Sequence, residues 1–404
     1  MLYRIIYLSI SVFGFFLHGI LLWQIIRMLQ WEPLHHFIKN HHDTIWILFS
    51  IGTISIPAFA IGSYVATTKI YNKFLSWIYT ISVWYLGAGG YLLAASILSW
   101  VIGVCVVIGR SVAGFEPLSI TTVIVPFLVN FTPAQKILVI LPLILATIVI
   151  IHGTINAYIL RVTRYTLSSS AGKYPFPKSW IGKNIVVYSD VHTGTIHGTK
   201  FLQRIVNKIN AQNPYITIMA GDLIDGPKFP HKQLLPLKEL QSVLGNYFIP
   251  GNHEQYSRDQ EMPGVIDSYL QRISDTSIII DGVHIIGIDY RKETLEHTQN
   301  MVQGILKNNP HIDTMPSIGI LHDPKNIQAL IDIGPNLTLS GHTHGGQLWP
   351  GNLIVKKVYK KLGFGPSYYN DKKTLHITSS GAGTAQTPMR VGTNPEIVVI
   401  RVVE

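Results

Sequence analysis

Four apolar runs, each long enough to cross a bilayer as a helix, occupy most of the first 164 residues of this 404-residue chain. A spanning helix needs about 20 consecutive apolar residues. The runs cover residues 5–26, 44–67, 77–108 and 137–160. A soluble bundle of buried helices is the alternative, but little polar sequence remains in this half to cover the runs. The pattern therefore predicts an α-helical transmembrane domain of about four helices over residues 1–164.

The third apolar run is longer than one crossing requires, and Gly87, Gly89 and Gly90 lie in its first half. The sequence leaves open whether this run forms one tilted helix or a kinked one. A shorter apolar stretch from Ser119 to Phe131 is followed by a Thr-Pro pair. Its length predicts a re-entrant or interfacial segment rather than another span.

The positive charge of the chain is concentrated in the same half. The net charge is +10, and the first 183 residues hold twelve basic residues against three acidic ones. Because these basic residues flank apolar runs, they favour a lipid bilayer over nucleic acid as the partner. With four spans, the short segments on the same side of the membrane as the second half hold five basic residues, and those on the other side hold four. This bias favours a multi-pass protein of the inner or plasma membrane with its second half in the cytoplasm.

The composition changes at Tyr165, where Ser, Gly, Pro and Lys become frequent as far as Lys183. Such a stretch is typical of a linker, and we predict one over residues 165–183. From residue 184 to residue 404, short β-branched runs alternate with helical patterns. The predicted strands include residues 184–189, 216–220, 247–249, 317–321, 337–340, 375–378 and 396–402, and the predicted helices residues 200–210, 264–273 and 294–307. This alternation predicts a layered α/β domain over residues 184–404.

Polar residues able to bind metal directly follow five of these apolar strands, where ligands gather in open α/β sheets. In chain order they are Asp190 with His192, Asp222 with Asp225, Asn252 with His253 and Glu254, His322, and His342 with His344. Taken singly, each group has an ordinary structural explanation, such as a surface pair, a turn, a helix cap or a hydrogen-bonded loop histidine. Five such groups in one domain indicate a shared metal site.

The residue types in these groups suit divalent metals. Carboxylate, imidazole and amide ligands together favour borderline ions such as Mn, Fe or Zn. Cysteine ligation is excluded, because the single cysteine, Cys105, lies in an apolar run of the first half. The domain contains neither a Gly-x-Ser-x-Gly elbow nor a Gly-x-x-x-x-Gly-Lys phosphate loop. Hydroxide bound by the metals is therefore the expected nucleophile.

With these motifs, the second half resembles the calcineurin-like metallophosphoesterase family. The family motifs read Asp-x-His, Gly-Asp-x-x-Asp, Gly-Asn-His-Asp/Glu, His and Gly-His-x-His, and all five occur between Asp190 and His344. The residues 380–384, 388–390 and 395–396 resemble the membrane-linked bacterial branch of the family. The resemblance implies a four-layer fold, a β-sandwich flanked by helices, with two divalent metal ions at its crest.

The resemblance also implies a role for each residue. One metal would be held by Asp190, His192 and His344, the other by Asn252, His322 and His342, and Asp222 would bridge them. His253 resembles the catalytic histidine of the family, and Asp225 is expected to orient it or a ligand. Glu254 stands where many relatives carry Asp, which could alter the support of His253. Arg390 is a candidate contact for the substrate phosphate, with a surface arginine as the alternative.

The complete ligand set predicts a metal-dependent phosphoester hydrolase. The leading hypothesis is a membrane-anchored phosphodiesterase acting on a lipid or lipid-linked phosphoester, because anchoring concentrates the site at a bilayer surface. A phosphatase for soluble nucleotides or phosphoproteins is the alternative, and Gly226 weakens it because protein phosphatases of this family usually carry arginine there. A non-catalytic binding scaffold is disfavoured, since no ligand of the motif set is missing. The sequence does not predict the oligomeric state.

Overall fold

The computed structural model describes residues 72–115, 118–119, 122, 131–226, 229–257, 259–290, 294–309, 314–369 and 373–404. The predicted spans 5–26 and 44–67, and most of the stretch 119–131, lie outside the described residues. The chain divides into two compact units, the first of which includes Trp77–Gly153 and the second Thr154–Glu404.

Two long apolar helices belong mainly to the first unit. Helix α1 spans Lys73–Val112 and helix α2 spans Pro133–Asn156. The third predicted run therefore lies within one continuous helix of 40 residues, despite its three glycines. A proline opens α2 at a position where the missing N–H would have no helical partner. Both helices are long and apolar enough to cross a membrane by length and composition.

The start of the second unit differs from the predicted linker. Residues Arg161–Ser168 form strand β1, which pairs in parallel with the C-terminal strand Glu396–Val403 over 8 residues. Trp180 is fully buried at the end of the short 3-10 helix Lys178–Trp180, and its indole N–H donates to the carbonyl of Asp281 at 3.1 Å. This stretch is therefore part of the folded unit, which begins well before residue 184.

The other strands and helices of the second unit follow in alternation. The strands are β2 Asn184–Tyr188, β3 Thr193–Gly194, β4 Pro214–Ala220, β5 Ile224–Asp225, β6 Asn246–Ile249, β7 Gln271–Arg272, β8 Thr276–Ile280, β9 Val283–Ile288, β10 Ser317–Leu321, β11 Leu337–Ser340, β12 Gly365–Tyr369, β13 Thr374–Thr378 and β14 Glu396–Val403. The α-helices are α3 Thr199–Asn210, α4 Asn252–Tyr256, α5 Met262–Asp267, α6 Leu295–Asn308, α7 Gln328–Ile331 and α8 Gly351–Tyr359. Short 3-10 helices occupy His231–Glu239, Pro324–Asn326, His344–Gly346 and Lys360–Leu362.

Two six-stranded sheets form the centre of the second unit among the described residues. The first has the order β1-β14-β2-β4-β6-β7 and the second β12-β13-β11-β10-β9-β8, while β3 pairs with β5. Side chains alternate along each strand, so Ile185 and Val187 lie in the core shared by the two sheets, whereas Val186 and Tyr188 pack towards α3. Helix α6 covers the outer face of the second sheet in the same way. This order of helix, sheet, sheet and helix confirms the predicted four-layer α/β fold.

Candidate metal centre

The carboxyl ends of parallel strands bring the five predicted groups together. Strands β2, β4 and β6 are successive parallel neighbours in the first sheet, and β10 and β11 are parallel neighbours in the second. Each of the five strands is followed at once by one predicted group. Because parallel strands end at the same edge of a sheet, the groups converge there. The seven predicted metal ligands form two clusters at this edge.

The first cluster consists of Asp190, His192 and His344, all of them buried. The Nε2 atoms of the two histidines lie 2.9 Å apart, and Nε2 of His344 lies 3.5 Å from Oδ1 of Asp190. Two imidazole nitrogens and a carboxylate oxygen that converge in this way are ligands one divalent ion can share.

The second cluster contains Asp222, His322 and His342, with Asn252 beside them. Oδ2 of Asp222 lies 3.2 Å from Nε2 of His322, and Oδ1 of Asn252 lies 2.8 Å from Nδ1 of His342. The same oxygen of Asp222 is 4.0 Å from Nε2 of His192 in the first cluster. Asp222 therefore lies between the clusters, where a bridging ligand is predicted.

The surroundings of His322 show that the clusters fit a cation. Its Nδ1 donates to the carbonyl of Ala220 at 2.7 Å, while its buried Nε2 makes no aligned hydrogen bond within the described part of the chain. Burial opposes a charge on this ring, but the Asp222 carboxylate outweighs it and raises the pKa of His322 to about 10. The buried carboxylates thus attract positive charge, which a divalent ion would supply.

Five of the seven predicted ligands have backbone in the left-handed region. Their φ values are 51° for Asp190, 52° for His192, 56° for Asp222, 70° for His342 and 50° for His344. Such conformations cost about 1–3 kcal/mol each in residues other than glycine. The glycines before the ligands allow the loops to pack this closely, since a Cβ at Gly341 would lie 2.5 Å from Oδ2 of Asp190. The strain is concentrated where the side chains must converge.

His253 stands beside both clusters. Its Nδ1 donates to Oδ1 of Asp225 at 2.9 Å, and its Nε2 lies 4.0 Å from Oδ2 of Asp222. Burial lowers its basicity, but the hydrogen bond to Asp225 and the nearby carboxylates outweigh burial and raise the pKa of His253 to about 9. The hydrogen bond from Nδ1 to Asp225 holds the ring with its Nε2 towards Asp222.

The side chain of Glu254 supports the loops that carry the proposed ligands. Its carboxylate accepts hydrogen bonds from the backbone N–H groups of Asp222 at 2.9 Å, Ile224 at 3.1 Å and Gly251 at 2.6 Å. These contacts join the loops after β4 and β6. The longer side chain of glutamate therefore fixes the backbone that carries Asp222.

Arg390 is enclosed by backbone carbonyl groups. Its side chain is fully buried and donates to the carbonyl oxygens of Gly381, Gly383 and His344, and its Nη2 lies 3.1 Å from Nδ1 of His344. The position does not support the expected phosphate contact, because a guanidinium surrounded by backbone is not available to a ligand. Arg390 instead holds the His344 ring with its Nε2 towards Asp190.

Two neighbours of His342 were not singled out from the sequence. Oδ2 of Asp323 lies 3.8 Å from Nε2 of His342, and the ring of Tyr290 lies 6.1 Å from the imidazole of His342. The signal for Asp323 was its place directly after His322. Tyr290 follows β9 with no metal-binding motif, so only the fold reveals its position.

Carboxylate and imidazole clusters at the strand ends of a two-sheet α/β unit are the arrangement expected of a metal-dependent phosphoester hydrolase. Comparison with protein families supports this class, since residues 183–346 match the family described as calcineurin-like phosphoesterase. All seven predicted ligands lie within that range. The chain therefore carries a calcineurin-like metallophosphoesterase domain.

Known relatives agree with this domain. An uncharacterized metallophosphoesterase from Helicobacter pylori is 31% identical over 222 residues, which is 54% of this chain and 59% of the relative. A transmembrane protein with metallophosphoesterase domain from Danio rerio is 27% identical over 65% of this chain and 62% of its own length. The chain thus spans about three fifths of the length of these two relatives. Among solved structures, a dimetal phosphatase from Danio rerio matches 49% of this chain and 87% of its own, with 11% identity and a TM-score of 0.30.

Proposed function

We propose that the chain is a membrane-anchored phosphoesterase that uses two divalent metal ions, with manganese, iron or zinc as the expected metals. The observation that supports this proposal is the position of Asp222 between two clusters of buried ligands. One ion would be held by Asp190, His192 and His344, and the other by Asn252, His322 and His342. When bound, the ions would supply an activated water and neutralise charge on the phosphate oxygens.

His253 is the residue that we propose to protonate the leaving oxygen and to stabilise charge on the reacting phosphate. Its Nδ1 is held by Asp225, so its Nε2 faces the cluster side of the ring. A ring held in this way can donate from Nε2 to a phosphate ester oxygen without rotating. Asp225 orients the ring and does not itself need to contact the substrate.

The proposed substrate is a lipid or lipid-linked phosphodiester. A cavity of about 430 Å³ lies beside the second cluster, and its lining includes Tyr290, Asp323, Met301, Leu321 and Val358. This mixture of apolar and polar side chains suits a phosphoester with an apolar group attached. Helices α1 and α2, which are apolar enough to span a membrane, support anchoring at a bilayer. A cytoplasmic position of the catalytic unit stays a prediction.

The proposal is tested with the full chain purified in detergent and loaded with Mn²⁺. Bis-aryl phosphate, mono-aryl phosphate and a total lipid extract are assayed side by side. We expect faster cleavage of the diester than of the monoester, and release of a phosphate-containing product from the lipid extract. The His253→Gln variant should keep its metal content and lose turnover by about 10²- to 10⁴-fold.

His231 provides a matched control for His253. It also forms a hydrogen-bonded pair with an aspartate, since its Nε2 lies 2.9 Å from Oδ2 of Asp259, but it belongs to a separate group of side chains. His231→Gln should leave turnover unchanged.

Full activity in Asn252→Ala would contradict the two-metal proposal, and failure to cleave any phosphate ester with any divalent metal would contradict hydrolysis. If the enzyme cleaved only soluble nucleotides, the proposed lipid substrate would be contradicted, but the proposed phosphoesterase activity would stand.

A further inference from the structure

The segment from Trp349 to Phe364 presents an apolar surface to solvent. It contains helix α8, none of whose residues is buried. The side chains of five apolar residues in this segment are each more than half exposed. They are Trp349, Leu353, Ile354, Val358 and Phe364. We call this segment the basic apolar segment, because lysines surround the exposed apolar residues.

The charge of the segment has one sign. Lys356, Lys357, Lys360 and Lys361 are exposed, and the sequence has no acidic residue from Ile333 to Asn370. An exposed apolar surface with lysines along it is typical of helices that lie in the interface of a membrane. The aliphatic part of each lysine can cover apolar surface while its ammonium group reaches lipid phosphates. The surface therefore complements an anionic bilayer in both hydrophobicity and charge.

The opposite side of the segment is fixed to the catalytic unit. Within the segment, the side chain of Val355 packs so close to Gly363 that a Cβ at Gly363 would lie 2.8 Å from Cγ1 of Val355. Tyr359 lines the cavity beside the second cluster. The hydroxyl of Thr343, which stands between His342 and His344, donates to the carbonyl of Gly363 at 2.6 Å. The exposed apolar residues are thus held in place and do not belong to an unanchored loop.

The segment is also tied to the residue at which an apolar helix ends. The backbone N–H of Trp349 donates to the carbonyl of Val391 at 2.9 Å. The buried side chain of Asn156, the last residue of α2, donates to the carbonyls of Arg390 at 3.1 Å and Thr393 at 2.8 Å. One short loop therefore contacts both the basic apolar segment and the end of α2.

We infer that the basic apolar segment inserts into the surface of an anionic lipid bilayer and so holds the metal centre at the level of the lipid head groups. The inference does not depend on hydrolysis, because it rests on the exposed surface and its charge. It explains why five large apolar side chains stay outside the core on one short stretch, which is unusual for a surface facing water alone.

The inference is tested with spin labels in the full chain. In a Cys105→Ser background, a single label is placed at Ile354→Cys or at Val243→Cys. Val243 is equally apolar and exposed, but it lies in the turn before β6, at the end of the first sheet opposite the metal ligands. The protein is reconstituted into vesicles of phosphatidylcholine with or without phosphatidylglycerol. Collision of the label with oxygen, which concentrates in lipid, is compared with collision with a water-soluble nickel chelate.

We expect the ratio of oxygen to nickel collisions at position 354 to exceed that at position 243 several-fold in the anionic vesicles, and by less in phosphatidylcholine alone. Replacing the four lysines of the segment with glutamine should reduce the ratio at position 354. A charge-matched control replaces four exposed lysines elsewhere, namely Lys200, Lys232, Lys238 and Lys307, and should leave the ratio unchanged. Equal, water-like ratios at both positions in every vesicle would overturn the inference. Dipolar broadening between labels at position 354 would also overturn it, since a second copy would then cover the surface.

Discussion

Two fully buried histidines in the second sheet region, His376 and His322, show what separates a structural histidine from a proposed metal ligand. His376 lies inside β13, and its two ring nitrogens are 2.9 Å from the hydroxyl of Thr338 and 2.8 Å from that of Thr378. His322 lies just beyond the end of β10, with only one ring nitrogen in an aligned hydrogen bond among the described residues. Both rings are fully buried, so the difference lies in the partners of the second ring nitrogen, which are carboxylates for His322 and a hydroxyl group for His376.

The pKa values of the two rings also differ. Burial lowers the pKa of His376 to about 3, whereas the Asp222 carboxylate raises the pKa of His322 to about 10. A neutral ring bonded to two hydroxyl groups contributes to packing. A ring beside buried carboxylates belongs to a site that needs positive charge. The four predictions below follow from this difference, in order of expected effect.

Replacing one or other of the two histidines should give opposite results. His322→Ala removes a proposed metal ligand, and we expect turnover to fall by more than about 1000-fold, or about 4 kcal/mol of activation free energy. His376→Gln should retain the full metal content and most of the activity, because its effect is confined to the sheet. Metal content by elemental analysis and turnover of a diester are measured on both variants. Equal losses of metal would show that the distinction between the two sites is mistaken.

Removal of the metals should destabilise the catalytic unit. Ions that bind only the folded state stabilise it by about 2.7 kcal/mol at 100 times the dissociation constant. We expect a chelator to lower the thermal midpoint of the detergent-solubilised chain and Mn²⁺ to restore it. His376→Gln should respond as the wild type does, and His322→Ala should respond weakly. If neither the chelator nor Mn²⁺ changed the thermal midpoint of the wild type, the result would argue against a metal centre.

Arg390 should affect metal affinity although it touches no substrate. Its contacts fix the ring of His344, and loss of such supporting contacts typically costs about 10- to 100-fold in metal affinity. Arg390→Gln should therefore bind metal more weakly, with the diester KM unchanged once metal is saturating. Competition with a chelator measures the affinity. A raised KM with unchanged metal affinity would instead favour the phosphate contact expected from the sequence.

The stability of the sheet should depend on pH through His376. Its pKa is near 6.5 when unfolded and about 3 when folded, so the unfolded state binds the extra proton between these values. The contribution of the neutral ring is fully present above pH 6.5, and about 1.4 kcal/mol is lost per pH unit as the pH falls from 6.5 towards 3. The thermal midpoint of the wild type should therefore fall more steeply below pH 6.5 than that of His376→Gln. Parallel pH curves would contradict the shifted pKa.

The sequence predicted the site more completely than it predicted the limits of the domain. The ligand groups were recognisable because each directly follows an apolar strand, and a strand end is a local signal. Strand β1 was missed because its partner β14 lies more than 200 residues further along the chain, and because its residues span the predicted boundary between the transmembrane domain and the linker. Long-range pairing of this kind leaves no local pattern.

The sequence also could not predict that Arg390 is buried or that α8 exists. An arginine near conserved-looking motif residues reads as a phosphate contact, and only the surrounding carbonyl groups show that it is enclosed. Helix α8 lacks the buried stripe on which a periodicity argument depends, because its apolar residues face outwards. In both cases the environment of the side chain, and not its identity, decides its role.

The pairing of β1 with β14 has a consequence for the order of assembly during synthesis. Strand β14 lies between β1 and β2, so both earlier strands lack their neighbour until residues 396–403 have been made. Until then both strands have an unpaired edge, and open strand edges invite pairing with other chains. Strand β14 supplies both missing neighbours at once, so synthesis of residues 396–403 is the step that commits this unit to its native topology.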